Sequence, residues 1–476
     1  GRRGRGSRPM TVVIERRADI DLDSFARAAW EGEDVVVDAH ALAVVARRRE
    51  QLLAFVAANR TRKLYGVNVH AGDGSNRLMT EAEQHDYQRG LHSGTSFGEP
   101  LPTRVVRGIV LARLANFIEG HSGVSPELVA LVAARLDGRP LPPVPRYGNG
   151  GPGEIQALGW LFDDVPGELA LGLKEGMALI NGSPCASALL ADAVLTTSLT
   201  IEVAESVFCL ACAAAAVAPA TFDAAFDDLW GDPWQAQALR ALRSGLRGAD
   251  APASSGEHPQ PAVSFRILPR VLGNARRVLA AARDAATVAL AAVSDNPVFV
   301  FPADDGDLGD LISNGGFHSG SAPSSIDSLS FALADLGQLA QHQVQRLQTS
   351  PVAHPGLDSL ALGTMQMVAN GYAEEARAAA VPSLLPLAGF GQNDVASPVF
   401  LAWTRHDRVR GFVGGSLTCL AAMAAQALAR PGRTAPPSLA GLLADVLSVM
   451  PPVTERRSLG PELAALASVI APRIPV

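Results

Sequence analysis

The chain has 476 residues, is 48% hydrophobic and carries a formal net charge of −7. That length excludes a small cross-linked module and allows a large buried core. Charged residues make up 18%, against about 25% in an ordinary soluble domain, which predicts extensive buried surface within the chain or between subunits; the mild acidity supplies no field for nucleic acid or anionic lipid.

Gly1 to Pro9 are basic and Gly-rich and lead into no apolar run, so they predict a disordered arm rather than a signal peptide, and a cytoplasmic protein. Met10 to about Phe25 reads as an extended start. The β-branched runs Val12-Val13-Ile14 and Val35-Val36-Val37 are brief, and strand signals do not recur later. Apolar residues then fall at three- and four-residue spacing over 47–60, 103–119, 126–136, 186–217, 271–293, 324–349, 360–381 and 407–429. Several of these run long without internal caps, which predicts an all-α fold dominated by a bundle of long helices. The organisation expected is a loop-bearing region over 10–205 and the bundle over 206–476. The apolar run Ser206 to Phe222 is short of the ~20 residues of a membrane span and contains Pro219, so no membrane segment is expected. Cys209 and Cys212 form a C-x-x-C inside that run, where small core residues are expected rather than a redox or metal pair. His70, His121, His318 and His354 lack ligand spacing, and no metal site is expected.

The connections carry more chemistry than the helices. Tyr65-Gly-Val-Asn-Val-His-Ala-Gly-Asp-Gly and Arg146-Tyr-Gly-Asn-Gly-Gly-Pro-Gly-Glu are glycine-punctuated loops, the second leading into a helix. Gly248 to Ala262 is rich in Pro, Ser and Gly and predicts a mobile loop. Asn181-Gly182 and Ser294-Asp-Asn-Pro are turn signals, and the latter reads as a plain helix-terminating turn.

Taken in order, Tyr65-Gly-Val-Asn, Lys174-Glu-Gly-Met-Ala-Leu-Ile-Asn-Gly and Val293-Ser-Asp-Asn-Pro resemble the histidine and aromatic amino-acid ammonia-lyases and their aminomutase relatives. Gly98-Glu-Pro-Leu-Pro, Ser264-Phe-Arg, Gly316-Phe-His and Gln392-Asn-Asp-Val extend the resemblance over roughly 64–397. It implies a mainly helical fold with a loop-rich N-terminal region, and a homotetramer whose sites draw on three subunits. It also implies an electrophile, a methylidene-imidazolone formed when an Ala-Ser-Gly tripeptide cyclises and loses water. Here that tripeptide is Gly151-Pro152-Gly153, and no Ser or Cys occurs between Leu141 and Asp164. With no β-hydroxyl or thiol to eliminate, no methylidene forms.

The same comparison puts Val263 at a proton-carrying tyrosine, Trp160 at a usual histidine, Asn393 at an acidic residue and Glu154 at the aspartate after the tripeptide. What it retains is Tyr65 as the base, Asn181 as a polar site residue, Arg266 for a substrate carboxylate and Phe317 as a site aromatic. His92, here in the order His92-Ser93, and Gln392 stand at substrate-binding positions. Two functions follow. One is a cofactor-free enzyme running acid–base lyase, conjugate-addition, cyclisation or isomerisation chemistry on a small carboxylate or pre-activated substrate. The other is a non-catalytic relative that binds a ligand or serves as a regulatory subunit.

Overall fold

The computed structural model describes residues 11–70, 72–90, 94–249, 260–304, 306–349, 362–389, 391–472 and 474–475. The expected arm, His92 and most of the 248–262 loop lie outside the described residues.

The chain opens on a parallel pair, β1 (Val12–Ile14) with β2 (Val35–Val37), in the register Val12↔Val35 to Ile14↔Val37. Both strands alternate buried, exposed, buried, as period-2 side chains on a half-covered ribbon must. The helices that position the site follow in chain order. They are α1 (Ala39–Ala58), α2 (Glu81–Gly90), α3 (Thr103–Phe117), α4 (Ile155–Leu161), α5 (Glu175–Ile180) and α6 (Pro184–Ala214). The C-terminal half adds α7 (Val263–Arg266), α8 (Leu268–Ala291), α9 (Ser321–Thr349), α10 (Met365–Ala379) and α11 (Val399–Leu428). A second short pair, β3 (Val298–Val300) antiparallel to β4 (Asp310–Ile312), corrects the expectation that strands would not recur. Three-residue strands are below what sequence alternation resolves.

Helix α6 shows why the bundle forms. Proline at its first position has no N–H to leave unpaired and a pre-set φ. The following 31-residue helix contains no glycine and abundant alanine, which permits close approach of α8, α9 and α11. It ends at Ala215 and the left-handed Ala216, then Pro219. The helix therefore begins and stops earlier than the 186–217 pattern suggests, and Ser206–Phe222 is not one segment. Residue 205 falls inside α6, which runs unbroken from a first core cluster (Leu189, Leu190, Val194) into a second (Ile201, Phe208, Leu210). Helices α8, α9 and α11 also contribute to both clusters.

Buried polar groups stitch these helices together. Asp192 of α6 accepts hydrogen bonds from Arg104 Nε (2.8 Å), Trp30 Nε1 (3.2 Å) and Trp403 Nε1 (3.0 Å). His406 lies between Thr197 Oγ1 (3.2 Å) and Ser330 Oγ (3.1 Å), linking α6, α9 and α11. Burial pushes the His406 imidazole down to about 4, so it sits neutral in the core.

All four cysteines are buried and free, and burial pushes the Cys209 thiol up to about 12. That suits small core residues rather than a thiolate site. Two stretches, Glu175–Ala214 and Val399–Leu428, are apolar and long enough to cross a bilayer, and 61% and 78% of their most apolar windows are buried within the fold. A helix apolar on all sides is what the centre of a large core requires.

Candidate active site

Three loops named by the sequence converge at the C-terminal end of α5. Tyr65 is half-buried, and its hydroxyl accepts a hydrogen bond from Gly72 N (3.2 Å). Gly72 has φ +63°, and a β-carbon there would lie 3.1 Å from Asn393 Nδ2, so the Tyr65 loop and the Gln392-Asn393 segment are neighbours within one chain. Gly66 has φ +67° and its backbone packs against Met177, where an added β-carbon would meet Cγ at 3.0 Å. The buried Gln88 of α2 ties these together: its Nε2 donates to Gly66 O (3.3 Å) and its Oε1 accepts from Met177 N (3.2 Å).

Asn181 is the residue after α5. Its Oδ1 accepts from Gly182 N (2.8 Å) and its Nδ2 reaches Met177 Sδ (3.4 Å). The Asn181 carbonyl is held by Arg113 Nη2 (2.5 Å), and Arg113 Nη1 donates to Ala178 O (2.7 Å). Gly182 is left-handed (φ +96°), and Ser294 would lie 3.1 Å from a β-carbon placed there. Asn181-Gly182 is thus a turn clasped by Arg113 and packed against Ser294.

Val293-Ser-Asp-Asn-Pro is not the plain turn the sequence suggested. Ser294 N and Oγ both donate to Asn116 Oδ1 (2.6 and 3.2 Å), while Ser294 Oγ accepts from Ser183 N (2.9 Å). Asn296 Oδ1 accepts from Ser313 Oγ and Asn314 N. Asp295 pairs with Lys174 Nζ at 2.6 Å, with neither side chain exposed. Burial pushes the Lys174 ammonium below the usual lysine range, and the Asp295 carboxylate opposes that shift. This ion pair joins two motifs about 120 residues apart in sequence.

The Gly151-Pro152-Gly153 loop stands opposite. Gly151 O accepts from Ser397 N (2.8 Å), just beyond the Gln392 segment. Phe317 Cδ2 would be 3.7 Å from a β-carbon on Gly153, placing the aromatic against the loop. Next door, Ser183 Oγ donates to Gly316 O (3.3 Å). Trp160 donates to Ser96 O (2.8 Å), and Gln156 Oε1 accepts from Thr95 N (2.6 Å), so α4 pins the chain that follows His92.

Glu154 does something the sequence did not reveal. Instead of guarding the start of α4, its carboxylate reaches the start of α6 and accepts from Cys185 N (2.6 Å) and Ala186 N (2.7 Å). It satisfies two of the donors that every helix start leaves open. Burial pushes its carboxyl up to about 7, against the opposing pull of those two N–H groups and of Arg113. A raised folded-state value means that the folded chain holds a proton the unfolded chain has already lost. The resulting stability is complete below about pH 4.5 and disappears as pH rises through about 7. Glu154→Gln is therefore expected to flatten the fall in unfolding free energy over that window, a difference of roughly 3 kcal/mol in slope-integrated terms, read from urea denaturation at stepped pH. Equal pH profiles for the two proteins would refute it.

Tyr65, Asn181, Phe317 and the Gly151–Gly153 loop belong to this one cluster of loops. Arg266 does not. It ends α7, which packs on α8 and α9 in the second core cluster, and its Nε donates to its own Pro261 O (3.0 Å). Residues missed by sequence reading are Gln88, Arg113 and Asn116, and for Glu154 its partners were missed. One signal was available for Arg113: α3 is apolar yet carries Arg104, Arg107 and Arg113, all buried, and buried charges need partners. Among the described residues no cluster of His, Cys, Asp and Glu could hold a metal ion.

A sequence profile of the aromatic amino acid lyase family matches residues 20–170 and 166–449. The chain is 30% identical over 365 residues to histidine ammonia-lyase of Deinococcus radiodurans, covering 71% of this chain and 68% of that protein. It is 27% identical to histidine ammonia-lyase of Symbiobacterium thermophilum over 96% of both chains. Tyrosine aminomutase from Streptomyces globisporus shares the fold, with a TM-score of 0.83 at 24% identity over 97% of each chain. With both halves matched in order and the motif loops gathered at one place, the chain belongs to the aromatic amino acid lyase family.

Proposed function

We propose that this chain is a member of the family that works without the methylidene-imidazolone, catalysing proton-transfer chemistry at the Tyr65–Asn181 site. The observation that carries the proposal is Pro152. A tripeptide Gly-Pro-Gly has no β-leaving group, and proline has no free N–H, so the electrophile has no route of formation. The substrate must then bring its own activation: a C–H acidified by a carbonyl, or an existing acceptor or leaving group. Tyr65 removes the proton as the base, with the Gly72 N–H donating to its oxygen. Asn181 and the glycine loop offer N–H groups to the developing oxyanion. Arg266 binds the substrate carboxylate through its planar fork. Because Arg266 lies away from Tyr65 in the single chain, a second subunit must supply it, in keeping with a homotetramer. His92 and Gln392 complete the substrate contacts, and a small carboxylate of secondary metabolism fits such a site.

The test is mass spectrometry of a metabolite extract incubated with the purified protein, beside Tyr65→Phe. The expected result is an ion consumed by the wild type and converted roughly 10²–10⁴-fold more slowly by the variant, with the intact protein mass equal to that of the unmodified sequence. A protein mass reduced by lost water would overturn electrophile independence. Equal behaviour of both proteins would instead support a regulatory, non-catalytic subunit.

A further inference from the structure

Away from the Tyr65 loops, a cleft of about 560 Å³ opens between the start of α3 and the C-terminal segment at Pro475. Among the described residues Arg104, Arg146 and Arg410 line it. Arg104 is committed, with Nε on Asp192 and Nη1 on Pro475 O (2.7 Å). The other two share one buried-side acid. Asp407 takes Arg410 Nη2 at 2.9 Å and Arg146 Nη2 at a long 3.4 Å. The only further carboxylate on Arg146 among the described ion pairs is Glu99 on the rim, at 3.5 Å and with 62% of its side chain exposed. Arg146 is 9% exposed, and among the described residues neither its Nε nor that of Arg410 has a hydrogen-bond partner. Burial works to raise the Asp407 carboxyl, yet Arg410, Arg146 and Arg104 together outweigh it and hold it below its ordinary value. One acid thus faces more guanidinium than it can pair.

The same cleft receives the start of α3. Pro102 occupies the N-cap and provides no side-chain cap, so the positive end of a 15-residue helix faces the cleft at Thr103 and Arg104. An uncapped helix start beside a buried and a half-buried guanidinium group that share one acid is a setting for a compact anion.

We propose that this cleft binds a small doubly charged oxyanion, a phosphoryl group or a dicarboxylate, between Arg146, Arg410 and the N-terminus of α3, with Glu99 as the group it displaces. Arg146 is the first residue of the loop that continues to Gly151-Pro152-Gly153, and its N–H donates to Glu99 O (2.9 Å). Occupancy therefore fixes the base of that loop.

The test is calorimetric titration of the whole chain with inorganic phosphate and, separately, malonate, at ionic strength matched with chloride. Saturable binding of at least one is expected, and which one binds separates the phosphoryl from the dicarboxylate source. Arg410→Gln is expected to weaken binding at least tenfold. Glu99→Gln, which removes an exposed competing carboxylate and leaves the fold untouched, is expected to tighten it several-fold. No saturable heat from either anion, or affinities unchanged in both variants, would overturn the proposal.

Discussion

Lys174→Met is expected to lower the unfolding free energy by about 3–5 kcal/mol, because it leaves the Asp295 carboxylate buried without its cation. Set against total stabilities of about 5–15 kcal/mol, that is a large share, and chemical denaturation will show it as a much lower midpoint. The partner experiment identifies the cause. Lys174→Met combined with Asp295→Leu removes both charges and is expected to recover most of the loss, whereas loss of packing alone would make the double variant worse. Lys174 also adopts a left-handed backbone, φ +69°, at the start of α5. For a side-chain-bearing residue that conformation costs roughly 1–2 kcal/mol, a cost that both variants retain. The same pair fixes the Lys174 segment to the Ser294 segment, so the variant is expected to lose conversion at the Tyr65–Asn181 site as well as stability.

Gly176→Ala should have the second large effect. A β-carbon at Gly176 would stand 2.1 Å from the Gln88 carbonyl oxygen and 2.9 Å from its Cα. These are backbone atoms of α2, so no side chain can turn aside and the two helices must part. Overpacking of this kind costs about 1–3 kcal/mol. The functional cost is expected to be larger, on the order of 10²-fold in rate, the penalty for about 1 Å of misplacement at reacting groups. Gln88 holds Gly66 and Met177, so parting α2 from α5 moves Tyr65 relative to Asn181. Gly411→Ala is the control: it lies in α11, where an added β-carbon meets nothing within 4 Å. It is expected to be neutral or stabilising by up to about 1 kcal/mol. Thermal denaturation and conversion rate, measured on both variants, separate the two outcomes. A Gly176→Ala protein as stable and active as Gly411→Ala would show that Gln88 does not set this geometry.

The sequence by itself determined where the longest helices lie, because each repeats its apolar spacing over many turns, although α1 and α11 begin at Ala39 and Val399, well before the expected 47 and 407. It also shows Gly151-Pro152-Gly153 without a β-hydroxyl or thiol, a covalent fact that no tertiary arrangement alters and on which the proposed electrophile independence rests. Its local motifs named Tyr65, Asn181, Phe317 and the glycine loop as site candidates through their family resemblance. It missed β3 and β4, three residues each, since pairing with a distant strand rather than local alternation defines them.

Only the tertiary structure decided what the polar residues do. Ser294-Asp-Asn looks like any turn until Asn116, Ser183 and Lys174 arrive from three other elements to bond it. Glu154 looks like a guard for its own helix, and the close approach of the next long helix makes it the cap of α6 instead. Arg266 belongs to the same motif set as Tyr65, yet within the single chain it ends a helix that packs in the second core cluster. The physical reason is common to all three. Helix formation follows a short-range periodic signal along the chain, whereas a buried charge or hydrogen-bonding group takes its state from whichever partners folding brings within about 3 Å, and those lie far off in sequence.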